Sequence, residues 1–369
     1  MWNRGLPGPL STVFERHAEG FPAVAAGVFT PDQVWWEARG IAFRGPGAAD
    51  GVGEPVPMDA ASVFDLASLT KALATAPAVF ALATEGLLRL DDPPVHALPW
   101  ADGPLREHLE SVPLWRLLNH SAGLAAYAPF FQTCDNREAL LLALGRVPPE
   151  RAPGAGFLYS DLGYILLGHH LTCTLGEDWT SWAARTFYAP LGLDFSFWGR
   201  PPGTPDPGAT SDVAAMACNR EPSGAFGGRV HDENARVLGS WCGHAGLFGS
   251  LSAVIGWLQA LYAMRNGRPG GPLPPEAVRR MWTPMTPGDA FTPGWDRPAP
   301  VGFTTAGDTA DREATVGHLG FSGTACWLHP PTGRGGVLLT NRVSLGRHAR
   351  MDELRAFRSE FFAETWRTI

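Results

Sequence analysis

Lysine is nearly absent from this 369-residue chain: among its 29 basic side chains Lys71 is the single lysine, and the rest are arginine. An excess of basic charge is also missing, since 36 acidic residues leave a formal net charge of −7. With no basic stripe, the electrostatic case for nucleic-acid binding falls away. No apolar run approaches the 18 or so residues that a membrane helix needs. The opening stretch, Met-Trp-Asn-Arg-Gly-Leu-Pro-Gly-Pro-Leu, lacks the apolar core of a secretory signal. A soluble cytoplasmic protein is therefore expected, with no membrane partner. Cysteine is sparse too. Cys134, Cys173, Cys218, Cys242 and Cys326 make an odd, scattered set without a Cys-x-x-Cys pair, as reduced thiols in a reducing compartment would be. The adjacent His169 and His170 diverge by about 100° on a helix, and no His-x-x-x-His spacing supports a zinc site. No metal and no organic cofactor are expected.

Apolar material is plentiful at 45% against 18% charged, which suits a sizeable core and rules out a disordered chain. The 44 glycines and 34 prolines, without a repeat, predict many turns and long loops, above all over 199–235. A short helix is expected over 10–19, followed by a hairpin whose strands run 21–29 and 33–43 around Thr30-Pro31-Asp32. A helix opening at Asp65, its N-cap, reaches Gly86, with Pro77 marking a kink or a misplaced edge. Further helices are expected near 112–119, 137–145, 161–175, 250–265 and 349–366, and strands near 314–318, 323–329 and 335–341. The fold class is α/β (α+β): an antiparallel sheet built from both ends of the chain, 1–60 and 240–369, flanked by terminal helices. Residues 61–239 form a mostly α-helical inserted lobe.

The lone lysine has a chemical reading. Arginine cannot act as a base, whereas a buried lysine with a lowered pKa can. Ser68 lies three residues before Lys71 and shares its helix face. A neutral Lys71 amine could take the Ser68 proton and make the hydroxyl a nucleophile. Activity would then rise with pH through that lowered lysine pKa. Tyr159 precedes Ser160-Asp161 and an apolar helix start, and could carry a second proton if Lys71 lowers its pKa. His318-Leu319-Gly320 ends an apparent strand where a backbone can approach a ligand closely. The turn Asn119-His120-Ser121-Ala122-Gly123-Leu124 reads as structural.

In order and spacing, Ser68-x-x-Lys71, Tyr159-Ser160-Asp161 and His318-Leu319-Gly320 resemble the motifs of the serine β-lactamase-like hydrolases. These are the class C β-lactamases, low-molecular-weight penicillin-binding proteins and related esterases. The resemblance covers about residues 20–345. It implies Ser68 as nucleophile, Lys71 as base, Tyr159 as proton shuttle, and the N–H groups of Ser68 and Phe321 as oxyanion hole. Asp161, His318 and Gly320 would contact substrate. The family pattern has Asn where Asp161 stands, and often Lys where His318 stands. Both departures weaken the grip on a substrate carboxylate and favour another ester or amide over a β-lactam. Segments around 230–235, 243–248, 294–298 and 317–324 look like a cell-wall-turnover subgroup that includes amidases acting on N-acetylmuramyl-L-alanine fragments. In that case His231, Asp232 and His244 either line a sugar-binding pocket or pack the loops around it. The expected function is a serine hydrolase that passes through an acyl-enzyme on a small-molecule ester or amide, such as a muramyl-peptide amide. The alternatives are a β-lactamase or D-alanyl-D-alanine carboxypeptidase, and a non-catalytic binding protein on the same fold.

Overall fold

The computed structural model describes residues 1–44, 54–98, 103–197, 230–239 and 242–369. Its strands are β1 Trp2–Arg4, β2 Ala23–Phe29, β3 Val34–Arg44, β4 Glu54–Pro57, β5 Val63–Asp65, β6 Ser196–Phe197, β7 Leu247–Ser250, β8 Phe291–Thr292, β9 Trp295–Asp296, β10 Val316–Leu319, β11 Ala325–His329 and β12 Arg334–Thr340. The main sheet runs β1-β3-β2-β12-β11-β10-β9-β8, with β4 paired to β3. Its seam joins the two ends of the chain: β12 pairs antiparallel with β2, Val337 opposite Gly27.

The period-2 geometry of a strand explains why β2 is apolar throughout. Ala23, Ala25 and Phe29 face one core, Val24, Ala26 and Val28 the other, and all seven β2 residues are buried. On one side the helices Gly8–Ala18 and Met351–Thr368 cover the sheet with Leu10, Phe14, Phe357 and Phe361. On the other lies the helix Leu251–Arg265, so close that a Cβ at Gly27 would meet Ile255 Cδ1 at 2.8 Å. The segment between β5 and β7 is largely helical and holds the helix Asp161–Leu175. A three-stranded ladder, β5-β7-β6, ties that segment to the main sheet's side of the molecule.

The stretch expected as one helix from Asp65 is built differently. Asp65 closes β5 opposite Phe248, and its carboxylate accepts the N–H groups of Ala67 and His231, both at 2.8 Å. It is thus a turn-former between strand and helix, not an N-cap. Ala67 takes a left-handed φ of 48°, a sharp reversal that delivers Ser68 to the helix start. A π-turn then spans Lys71–Thr75, and the regular helix runs Ala76–Thr84 with Pro77 in its first turn, where a missing N–H costs little. The helix expected near 112–119 shortens to Trp115–Leu118. The loops expected from 199 lie outside the described residues up to 229, and a helix Glu233–Leu238, capped by Asp232, follows. Among the described residues no helix is long and apolar enough to cross a membrane.

Candidate active site

The strand-to-helix reversal at Ala67 places Ser68 at the mouth of the π-turn, with Lys71 completely buried beneath it. Lys71 Nζ donates to Ser68 Oγ at 3.0 Å and to the His244 carbonyl at 2.8 Å, and pairs with Asp161 Oδ1 at 2.8 Å. Burial alone would press the Lys71 pKa down. Asp161 and Tyr159 outweigh it and hold the amine above its ordinary value. The neutral lysine expected from the sequence is therefore not the resting state; Lys71 is a cation. Tyr159 lies against the pair, with Lys71 Nζ 5.0 Å from its ring centre, and Lys71 and Ser68 both pull its pKa down. Burial nevertheless pushes the phenol up to about 12 against the pull of Lys71, so its pKa is not lowered as the shuttle reading required.

The second motif is held by the turn at His120. Ser160 caps the helix Asp161–Leu175, accepting from Gly163 N and donating to the Ala125 carbonyl at 2.6 Å. Its own N–H donates to His120 Nδ1 at 3.0 Å, and the His120 ring packs 4.5 Å from that of Tyr159. The bond fixes Nδ1 as an acceptor, and burial followed by Lys71 holds this imidazole well below its ordinary pKa. His120 is thus structural, as the sequence implied, and it aims Tyr159.

His318, next to last in β10, has Nδ1 2.9 Å from the Leu319 carbonyl and Nε2 3.8 Å from Asp296 Oδ1. Burial lowers its pKa and Asp296 opposes without prevailing, while burial raises Asp296. Gly320 is pressed against the nucleophile strand: a Cβ there would strike Thr324 Oγ1 and the Leu66 carbonyl. The N–H groups of Ser68 and Phe321 have no acceptor among the described residues.

A cavity of about 510 Å³ opens over these groups, lined among others by Ser68, Tyr159, Asp161, Asp296, His318, Gly320 and Phe321. His231 and Asp232 line it as expected. His244 does not: it is buried behind the wall, with Nε2 2.9 Å from Asp232 Oδ1 and Nδ1 3.0 Å from Cys242 Sγ. Burial would neutralise it, but Cys242 and Asp232 hold its pKa well above the ordinary value, and His244 in turn holds Asp232 low against its burial. Arg347, ion-paired to Glu233, completes the outer wall with Tyr127 and Met351. Asp65, Asp296 and Arg358 belong to the site although no sequence motif assigns them a part in it. Asp65 stands three residues before Ser68, a spacing that only the reversal at Ala67 explains. Among the described residues no group of three or more His, Cys, Asp or Glu side chains could hold a metal ion.

Comparison with known proteins agrees with this architecture. The Beta-lactamase family model matches residues 10–359, and the chain belongs to that family. A protein of Escherichia coli strain K12, provisionally named a D-alanyl-D-alanine carboxypeptidase, is 29% identical over 348 residues, 88% of this chain and 79% of its own. The N-acetylmuramyl-L-alanine amidase of Bacillus subtilis strain 168 is 26% identical over 308 residues, 78% of this chain and 70% of its own. Among solved structures, a class C β-lactamase superposes with a TM-score of 0.70 at 17% identity, covering 96% of this chain and 97% of its own. SurE with D-Leu superposes with a TM-score of 0.67 at 23% identity, covering 97% and 74%. These superpositions show a β-lactamase/transpeptidase-like fold, and the family and its relatives are those of a hydrolase.

Proposed function

We propose that the chain is a serine hydrolase that acylates Ser68 from an ester or amide. The reading is carried by Lys71 Nζ 3.0 Å from Ser68 Oγ, with Tyr159 beside them on a cavity that Ser68 and Phe321, whose N–H groups have no acceptor among the described residues, also line. Because Lys71 donates its hydrogen bond, it cannot be the group that receives the Ser68 proton. Its charge instead lowers the cost of a Tyr159 phenolate. In the minor form in which Tyr159 has first given its own proton to solvent, the phenolate takes the Ser68 proton as Oγ attacks and passes it to the leaving group. The N–H groups of Ser68 and Phe321 receive the carbonyl oxygen as it becomes negative. Water, activated by the same Tyr159, then clears the acyl group.

For substrate, the pocket favours an amide or ester without a carboxylate at the third motif. His318 is held neutral beside Asp296, Arg347 is paired to Glu233, and Arg358, which also lines the cavity, has Nη2 engaged by the Gly320 and Thr324 carbonyls. A muramyl-peptide amide satisfies that requirement, and the amidase relative supports the choice. The test is hydrolysis of nitrophenyl acetate, then of a muramyl-L-alanyl peptide, by wild type, Ser68→Ala and Tyr159→Phe. Wild-type turnover with both variants at background is the expected result. Undiminished turnover by Ser68→Ala removes the acyl-enzyme, and turnover of the ester alone removes the muramyl substrate.

A further inference from the structure

The turn 320–324 carries the Phe321 N–H, and three of its carbonyls are held by donors from elsewhere in the fold or within the turn. Gly320 O accepts Arg358 Nη2 at 2.7 Å and Gly323 N at 3.1 Å. Phe321 O accepts Arg342 Nη2 at 2.7 Å, and Thr324 O accepts Arg358 Nη2 at 2.7 Å and Gly320 N at 2.7 Å. The same turn is stitched to the nucleophile strand. Ser322 Oγ donates to Asp65 O at 2.7 Å, and Thr324 Oγ1 donates to Leu66 O at 3.0 Å.

Arg358 is unusual in this set. It comes from the closing helix, is 6% exposed, lines the cavity, and has no ion pair among the described residues. A buried guanidinium that holds only carbonyls is expensive, and an apolar side chain of similar length would pack there at less cost. Burial and Arg342 press its pKa down to about 9, which leaves it a cation at neutral pH. The carbonyl it grips belongs to the same planar trans peptide as the Phe321 N–H, so a donor on one end fixes and polarises the other.

From this we infer that Arg358 is a positioning residue that aims and strengthens the Phe321 N–H as an oxyanion donor through the Gly320–Phe321 peptide. The inference rests on the acyl-enzyme reading above. It assigns to the C-terminal helix the positive charge that a neutral His318 does not bring to this side of the pocket. Ground-state substrate does not need that charge, whereas a developing oxyanion does, so the loss falls on kcat rather than KM.

The experiment is hydrolysis kinetics on nitrophenyl acetate together with the infrared difference spectrum of the acyl-enzyme formed from the carbonyl-¹³C ester. Wild type, Arg358→Met and Arg358→Lys are compared. Removal of an oxyanion donor costs about 10²-fold or more, and weakening one through its peptide costs less. Arg358→Met should lose about tenfold to a hundredfold in kcat with KM within about twofold, and its acyl carbonyl band should move to higher wavenumber. Arg358→Lys, which restores a cation, should recover most of both. An unchanged band in Arg358→Met, or a loss that Arg358→Lys does not rescue, overturns the assignment. So does misfolding of both variants, since the residue would then serve the fold. A wild-type enzyme that shows no acyl band overturns the acyl-enzyme reading itself, an outcome distinct from a wild-type band that the variants leave in place.

Discussion

His244 and His318 are both almost wholly buried, and each has an aspartate beside it, yet they are held in opposite charge states. Burial disfavours the imidazolium of each. For His244 the opposing attractions are strong: Asp232 Oδ1 touches Nε2 at 2.9 Å, Cys242 Sγ touches Nδ1 at 3.0 Å, and Asp232 is itself fixed by the Ala235 N–H at 2.8 Å. For His318 the aspartate stands off at 3.8 Å, the other nitrogen faces only a carbonyl, and Lys71 repels a proton. About one ångström and one extra partner separate a buried cation from a buried neutral ring. Lys71, with Asp161 at 2.8 Å, follows the rule of His244. Contact ion pairs therefore set the 71–161 and 232–244 walls, while the third-motif wall takes its charge from Arg358.

The largest effect should come from breaking the His244 side. Asp232→Asn leaves a buried imidazole that must lose its proton or stay charged without a carboxylate, a defect of about 3 kcal/mol. Urea unfolding at pH 7 measures it, and a variant within about 1 kcal/mol of wild type would show that His244 is not held charged. The sign of the pH dependence follows. A raised folded pKa at His244 gives stability that is complete below the unfolded value and lost as pH rises through the folded one. A depressed Asp232 gives stability that is lost in acid. Wild type should thus lose stability on the alkaline side, and Asp232→Asn should lack that decline.

The next largest effect concerns Lys71. With Tyr159 near 12 and Lys71 held above its ordinary value, wild-type kcat/KM should climb from pH 6 to 9 without a plateau. Asp161→Asn removes the carboxylate that does most to oppose burial, so Lys71 should release its proton at lower pH. The lysine starts above its ordinary value, so only a fall of several units, at ~1.4 kcal/mol each, brings an inflection into the pH 6–9 range, and that entry is the expected outcome. Superimposable profiles for the two enzymes would mean that Asp161 does not govern the lysine.

These charge states were not legible in the sequence, although much else was. Helices over 161–175 and 250–265, and the strands that became β2, β3 and β12, follow from apolar periodicity and from turn signals at their ends. Ser68, Tyr159, Asp161 and His318 stand out by spacing, and the structure brings all four to one cavity. Hidden were the features that depend on distance across the fold. The reversal at Ala67 breaks the helix rule for an alanine, and only the Asp65 carboxylate accepting its N–H gives it a cause. Whether Asp161 meets substrate or Lys71 is a matter of ångströms between a π-turn and a helix about 90 residues on. Arg358 looks like one arginine among many on an amphipathic helix, since nothing local marks which turn carbonyl it will reach.

The smallest expected effect tests the neutral histidine. His318→Gln keeps a hydrogen-bonding side chain and removes a group whose folded pKa lies below its ordinary 6.5. The unfolded chain binds that proton first, so His318 costs wild type stability as pH falls below about 6.5 and contributes no slope above it. The groups facing it bound the size of this cost. Asp161 and Asp296 favour its proton, Lys71 opposes it, and the Tyr159 ring lies tilted with its centre 6.1 Å away, a neutral phenol. Asp296, whose own pKa is raised, gains stability on protonation and offsets part of the loss. Unfolding free energies of wild type and His318→Gln should run parallel above pH 7. Below pH 6 they should separate by less than about 1.4 kcal/mol, the variant losing less. A variant that instead loses more in acid would mean that His318 gains its proton in the folded state and pairs with Asp296, which would make the third-motif wall a second copy of the His244 arrangement.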